Sequence, residues 1–173
     1  MRYAKHLVII GTAFALIAAT AGGALADDEE KKEERMTRGI YAAGGGGVNF
    51  QSGESAKASW RFLAAARPWK YLSVELGYLN LDENKNGDKL DGFSFGGVPT
   101  YPIGQFDIYG KAGFVVSTID GNTEIRASYG AGAAWWWKRI GTRFEFERYE
   151  YSADPVNALW FILSYRLGDG RKK

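Results

Sequence analysis

The chain has no cysteine, and its 173 residues include a single histidine, His6. The first absence excludes a disulfide framework, a thiolate metal site and an acylated cysteine. The second removes imidazole chemistry, because His6 lies in a leading segment that reads as removable. Hydrolases and acyltransferases that use histidine to activate a hydroxyl or a water are thereby excluded. Long apolar runs are also missing. Beyond the leading segment no stretch reaches the ~20 apolar residues of a membrane helix. Prolines number four, Pro68, Pro99, Pro102 and Pro155, few enough to leave long strands uninterrupted.

The leading segment has three parts. Arg2 and Lys5 supply positive charge, Leu7 to Ala21 is apolar, and Ala24-Leu25-Ala26 is a small-residue cleavage site followed at once by Asp27. Residues 1–26 therefore read as a secretory signal peptide cleaved after Ala26. Its removal leaves 147 residues, with Lys plus Arg reduced from 22 to 20 by the loss of Arg2 and Lys5, and Asp plus Glu unchanged at 20. A formally neutral chain of this size is expected to be one domain that does not bind nucleic acid. Residues 27–38, DDEEKKEERMTR, bury no apolar area and read as a charged, solvated periplasmic leader. Residues 169–173 form a charged C-terminal tail, leaving 39–168 for the folded domain.

What is abundant is two-faced strand sequence. In IGTRFEFERYEY, Phe144 and Phe146 alternate with Arg143, Glu145 and Glu147. In NALWFILSYRLG, Leu159, Phe161, Leu163, Tyr165 and Leu167 alternate with Trp160, Ile162, Ser164 and Arg166. A period of two is the signature of a strand. One face is aromatic and aliphatic, and the other carries charges of both signs that can pair. That pattern suits a closed barrel with lipid outside and a small polar interior. The six Trp, ten Tyr and ten Phe suit a membrane interface.

Polar breaks at Gln51–Ser55, Asp82–Lys89, Asp120–Thr123 and Ser152–Asn157 alternate with short breaks near Pro68, Gly104 and Arg139. Four longer loops and three short turns imply eight strands, with the long loops on one rim. The expected strands are 39–51, 57–66, 70–81, 89–103, 105–119, 124–138, 140–152 and 157–168. Trp60, Phe62, Tyr78, Phe114, Trp135, Trp137, Phe144, Phe146, Phe161 and Tyr165 are expected on the lipid-facing surface or its aromatic girdles. Leu72, Val74, Leu76, Phe93, Phe95, Ile108, Val116 and Tyr129 share that surface. The inward face receives Arg61, Glu75, Asp107, Lys111, Arg126, Arg143, Glu145, Glu147 and Arg166. The first strand, YAAGGGGVNF, is too rich in glycine for its faces to be assigned.

VELGYLNL in the third strand, FDIYGKAGF in the fifth, ASYGAGAAW in the sixth and RFEFERYEY in the seventh resemble the OmpA-like transmembrane β-barrels. The resemblance spans the chain from about Gly39 and rests on patterns rather than on a signature. It implies an all-β fold, an eight-stranded antiparallel up-and-down transmembrane barrel of the Gram-negative outer membrane. It also implies contact with outer-membrane lipid and lipopolysaccharide, insertion by the barrel-assembly machinery, and a monomer.

Candidate chemistry is sparse. Glu145 and Glu147 lie two apart on one inward face among cations, which fits a structural ion network better than acid–base catalysis. Asp82, Asn84, Asn86 and Gly87 begin like a calcium loop, but the twelfth position is Phe93 rather than glutamate, so the segment reads as a solvated hairpin loop. The glycines at 44–47 and at 130 and 132 open no helix and so make no phosphate cradle. No catalytic, metal or cofactor site is expected. The expected function is a structural or surface-contact role in the envelope, with a narrow, charge-filled lumen and at most small-solute, porin-like activity. The alternative is a secreted or periplasmic soluble β-barrel binding an apolar ligand, which would turn the aromatic face inward.

Overall fold

The computed structural model describes residues 39–53, 55–83, 89–119, 122–151 and 155–167. The signal peptide, the leader 27–38, the tail 169–173 and most of the calcium-like loop lie outside these residues. Eight strands follow one another: β1 (Gly39–Phe50), β2 (Lys57–Trp69), β3 (Leu72–Glu83), β4 (Lys89–Ile103), β5 (Phe106–Ile119), β6 (Asn122–Trp137), β7 (Ile140–Tyr149) and β8 (Val156–Arg166). Each pairs antiparallel with the next, and β8 returns to pair with β1, so the sheet closes and has no edge.

The register fixes the barrel's dimensions. Starting from Ile40 and crossing paired residues, the path runs Ala66, Val74, Gly97, Ala112, Tyr129, Arg148 and Asn157, and re-enters β1 at Phe50. The stagger is therefore ten residues around eight strands. With ordinary strand spacing and rise, that stagger tilts the strands by about 40° and gives a backbone cylinder of radius about 8 Å. Each residue then climbs ~2.5 Å along the axis, so a strand segment of about ten residues, every second one facing outward, spans the ~25 Å apolar band of a membrane barrel.

The exterior is that band. Phe62, Phe144, Ile108, Leu163 and Phe161 stand between 45 % and 64 % exposed, which no water-facing sheet sustains over its whole circumference. Near the turn rim lie Trp69, Tyr71, Tyr101, Phe106, Trp135 and Trp137, all exposed. Toward the loops, Trp60 packs against Phe62 and Tyr78, and Tyr78 against Phe93. Above this second girdle the outer face turns polar, with Tyr129 and Arg148 both donating to Glu150. Those bonds lower the Glu150 pKa from its ordinary value. The aromatic face is outside, opposite to the soluble ligand-binding alternative.

Two expectations need correction. Pro68 lies within β2, not in the turn. The β2–β3 register shifts between Ala66 and Trp69, so the nitrogen that cannot donate sits where the ladder is already interrupted. Pro99 and Pro102 sit inside β4, as the expected strand 89–103 has them. The β4–β5 pairing skips Val98 and Pro99 between Gly97↔Ala112 and Thr100↔Tyr109, and Pro99 there approaches Gly110, which has no side chain. The third loop is not long: Ile119 pairs with Asn122, so only two residues separate β5 from β6.

Candidate functional site

A strand with alternating faces, closed into a cylinder of this radius, must fill its inside with side chains. The filling is layered along the axis. The middle layer is a ring of charges built from β2, β3, β5 and β7. Arg61 Nη1 contacts Glu145 Oε2 at 3.0 Å and Glu147 Oε2 at 2.8 Å. Glu147 Oε2 also meets Lys111 Nζ at 3.1 Å, and Lys111 lies 3.4 Å from Glu75 Oε2. Glu75 Oε1 takes Arg143 Nη1 at 2.7 Å, and Arg143 closes the circuit on Glu145 Oε1. The result is a closed hexagon, Arg61–Glu145–Arg143–Glu75–Lys111–Glu147, in which every charge touches two of opposite sign.

The ring is formally neutral, with three cations against three carboxylates, and every member is buried. Isolated charges in such a place are expensive, and alternation is what makes the burial tolerable. Two tyrosines brace it: Tyr41 donates to Glu75 and Tyr109 to Glu145, each at 2.9 Å. Arg143 stacks over Tyr109 at 4.9 Å and Arg61 over Trp160 at 5.2 Å, using the guanidinium faces left free by in-plane bonding.

Toward the turn rim a second layer holds Arg67, whose Nη1 meets Asp107 Oδ2 at 2.8 Å, while Trp136 Nε1 donates to the same oxygen at 2.9 Å. Arg166 stacks on Trp136 at 4.8 Å. A cavity of about 20 Å³ lies here among Arg67, Asp107, Trp136 and Arg166, room for one water. Toward the loop rim the filling is apolar. Leu79, Leu81, Leu90, Val115, Tyr149, Val156 and Ala158 are buried against one another, with Asn49 donating to Ser59 beside them.

The structure thus divides the nine charged positions expected inside. Arg61, Glu75, Lys111, Arg143, Glu145 and Glu147 come together in the ring. Asp107 and Arg166 lie in the turn-side layer, and Arg126 stands at the loop-side mouth, paired with Glu124. Of the outward set, Trp60, Phe62, Phe114, Trp135, Trp137, Phe144, Phe146, Phe161 and Tyr165 are exposed, and Tyr78 is half-buried and bonded to Asp91.

Sequence reasoning missed four groups of lumen residues. Tyr109 shares the parity of Asp107 and Lys111 and was readable from it. Tyr41 was hidden in a glycine-rich strand, and Arg67 by the turn signal of Pro68. The apolar layer was hidden because β3 is apolar on both faces. The glycines of β1 have a local reason: a side chain at Gly47 would strike the Leu159 carbonyl and come within 2.8 Å of the Trp160 ring. Among the described residues no group of three or more His, Cys, Asp or Glu is placed to hold a metal ion, and the carboxylates of the ring are already engaged by cations.

No family model matches the sequence, and a search of curated proteins finds no match. Solved structures do match in fold. A de novo designed transmembrane β-barrel superposes with a TM-score of 0.55 at 19% identity, covering 75% of this chain and 97% of that one. The attachment invasion locus protein Ail of Yersinia pestis gives 0.53 at 13% identity, covering 75% and 99%. The N-terminal β-barrel domain of Pseudomonas aeruginosa OprF gives 0.50 at 9% identity, covering 74% and 98%. With its closed register, lipid-facing exterior and filled lumen, the chain has the fold of the small, OmpA-like, eight-stranded transmembrane β-barrels of bacterial outer membranes.

Proposed function

We propose that this protein is a non-enzymatic structural barrel that supports the bacterial outer membrane without opening a solute path through it. The observation that carries the reading is the double seal of the lumen: the neutral charge ring and, on its loop side, the apolar layer around Leu79, Val115 and Trp160. Opening the ring alone leaves the apolar layer in place, so any porin-like activity is restricted to ions or small solutes. The barrel is exported by its signal peptide, cleaved after Ala26, and inserted by the assembly machinery. It stands as a monomer among phospholipid and lipopolysaccharide, with its three short turns toward the periplasm. The fold similarity to envelope proteins supports the location, and the absence of imidazole from residues 27–173 supports a role without histidine-activated hydrolysis or acyl transfer.

The test is a deletion strain of the source bacterium challenged with bile salts and with a bulky antibiotic. Loss of the gene is expected to raise sensitivity to both, and the wild-type gene to restore resistance. An unchanged barrier in the deletion strain contradicts the structural role.

A further inference from the structure

The barrel closes where its first and last strands meet. Every other pair of neighbouring strands is consecutive in the chain and tied by a hairpin connection, whereas β1 and β8 stand at opposite ends of the sequence. A joint without a hairpin carries the full entropy of bringing distant segments together. It is also short of side chains. Gly44, Gly45, Gly46 and Gly47 stand opposite Leu163, Ile162, Phe161 and Trp160, so the cross-strand side-chain pairs that stabilise a sheet are missing there. The close approach of the two strands forbids adding them: a Cβ at Gly45 would strike the Phe161 carbonyl, and one at Gly47 the Leu159 carbonyl.

The charge ring bridges this joint from inside. Arg61 of β2 reaches Glu145 and Glu147 of β7 at 3.0 and 2.8 Å, and Arg143 of β7 reaches Glu75 of β3 at 2.7 Å. Tyr41 of β1 joins them, donating to Glu75 at 2.9 Å and accepting from Arg143 Nη1 at 3.4 Å. Because β7 and β2 flank β8 and β1, these bonds run across the lumen behind the joint. Drawing β1 away from β8 separates β2 from β7 and strands buried charges without partners, which is costly. Lys111 of β5 lies on the far side, and its bonds to Glu75 and Glu147 join strands that the hairpins already hold in order.

We infer that the arc Arg61–Glu145–Arg143–Glu75 is the lock of the β1–β8 joint. With the arc intact the joint opens only with the whole barrel; without it β1 and β8 part while the other strands stay paired. The lock governs closure of the sheet and is independent of the envelope role.

The test is hydrogen exchange, read by mass spectrometry, on residues 27–173 refolded into lipid nanodiscs. Arg61→Met/Glu145→Gln removes one cation and one carboxylate from the arc. Lys111→Met/Glu147→Gln removes the same charges from the far side and leaves the arc whole. In the arc variant the amides of β1 and β8 are expected to exchange about 10-fold faster, as a local opening does, with those of β4 and β5 changed by less than about 2-fold. The far-side variant should raise exchange in β1 and β8 no more than elsewhere. Ala43 and Ser164 face each other across the joint, and the chain has no cysteine of its own. Adding Ala43→Cys/Ser164→Cys, oxidised to a disulfide, should return the arc variant to wild-type exchange, and reduction should release it again. Heat-dependent gel mobility checks folding, and an arc variant that folds only with the disulfide in place also supports the lock. Even acceleration across all eight strands overturns the inference, as does a folded arc variant whose β1 and β8 exchange at the wild-type rate. An arc variant that stays unfolded with the disulfide in place overturns it too, because a covalent joint should replace the lock.

Discussion

Glu145 is the carboxylate whose removal tests the ring most sharply. It bridges Arg61 and Arg143 and accepts a hydrogen bond from the Tyr109 hydroxyl. Glu145→Ala leaves three buried cations facing two carboxylates. Removing one partner of a buried pair costs about 3–5 kcal/mol. Arg61 keeps Glu147 and Arg143 keeps Glu75, so the loss should fall near the lower end, ~3 kcal/mol. The assay is urea unfolding in lipid vesicles, followed by tryptophan fluorescence and by gel mobility without boiling. Adding Arg143→Met restores neutrality and leaves Arg61–Glu147–Lys111–Glu75 as an unbroken alternating chain. The double variant should therefore be more stable than the sum of its parts by ~1–3 kcal/mol. A single-variant loss below about 1 kcal/mol, with no coupling to Arg143, would refute the buried ring, since that is how water-exposed pairs behave.

Other outcomes are equally specific. Phe161→Arg, on the lipid face near mid-strand, should destabilise the barrel by ~2–4 kcal/mol in a refolding titration, and a neutral effect would place that residue away from the midplane. Gly132→Ala should disturb the ring indirectly, because the new methyl would lie 2.6 Å from both the Phe144 carbonyl and the Tyr109 hydroxyl; lower unfolding stability in urea is the expected result. Mass spectrometry of the exported protein should find Asp27 at its N-terminus, and retention of Met1 would contradict the signal peptide. An epitope tag at Asn86 should bind antibody on intact cells while a tag at Gln105 should not, and the reverse labelling would invert the topology.

The sequence was most legible where the two faces differ most. β7 and β8 alternate phenylalanine and leucine with charge or small polar groups, so their faces follow from parity alone. β3 shows the limit, because Leu79 and Leu81 point inward while Val74 and Leu76 point outward, and parity without contrast is silent. The loop asymmetry was overread at Asp120–Thr123, where polar residues mark a two-residue hairpin rather than an extended loop. The inward charges could be enumerated from sequence, but not their circuit. Arg61 and Glu145 are 84 residues apart and meet only because the stagger of the closed barrel brings β2 and β7 to one level. That is a property of the register, which no single strand encodes.

The central claim is that the lumen is sealed, and single-channel recording of the wild-type barrel in a planar lipid bilayer tests it most directly. Silence, or brief small openings that become more frequent in Glu145→Ala, is the predicted record. Large, steady, nanosiemens-scale conductance from the unmodified protein would contradict the account.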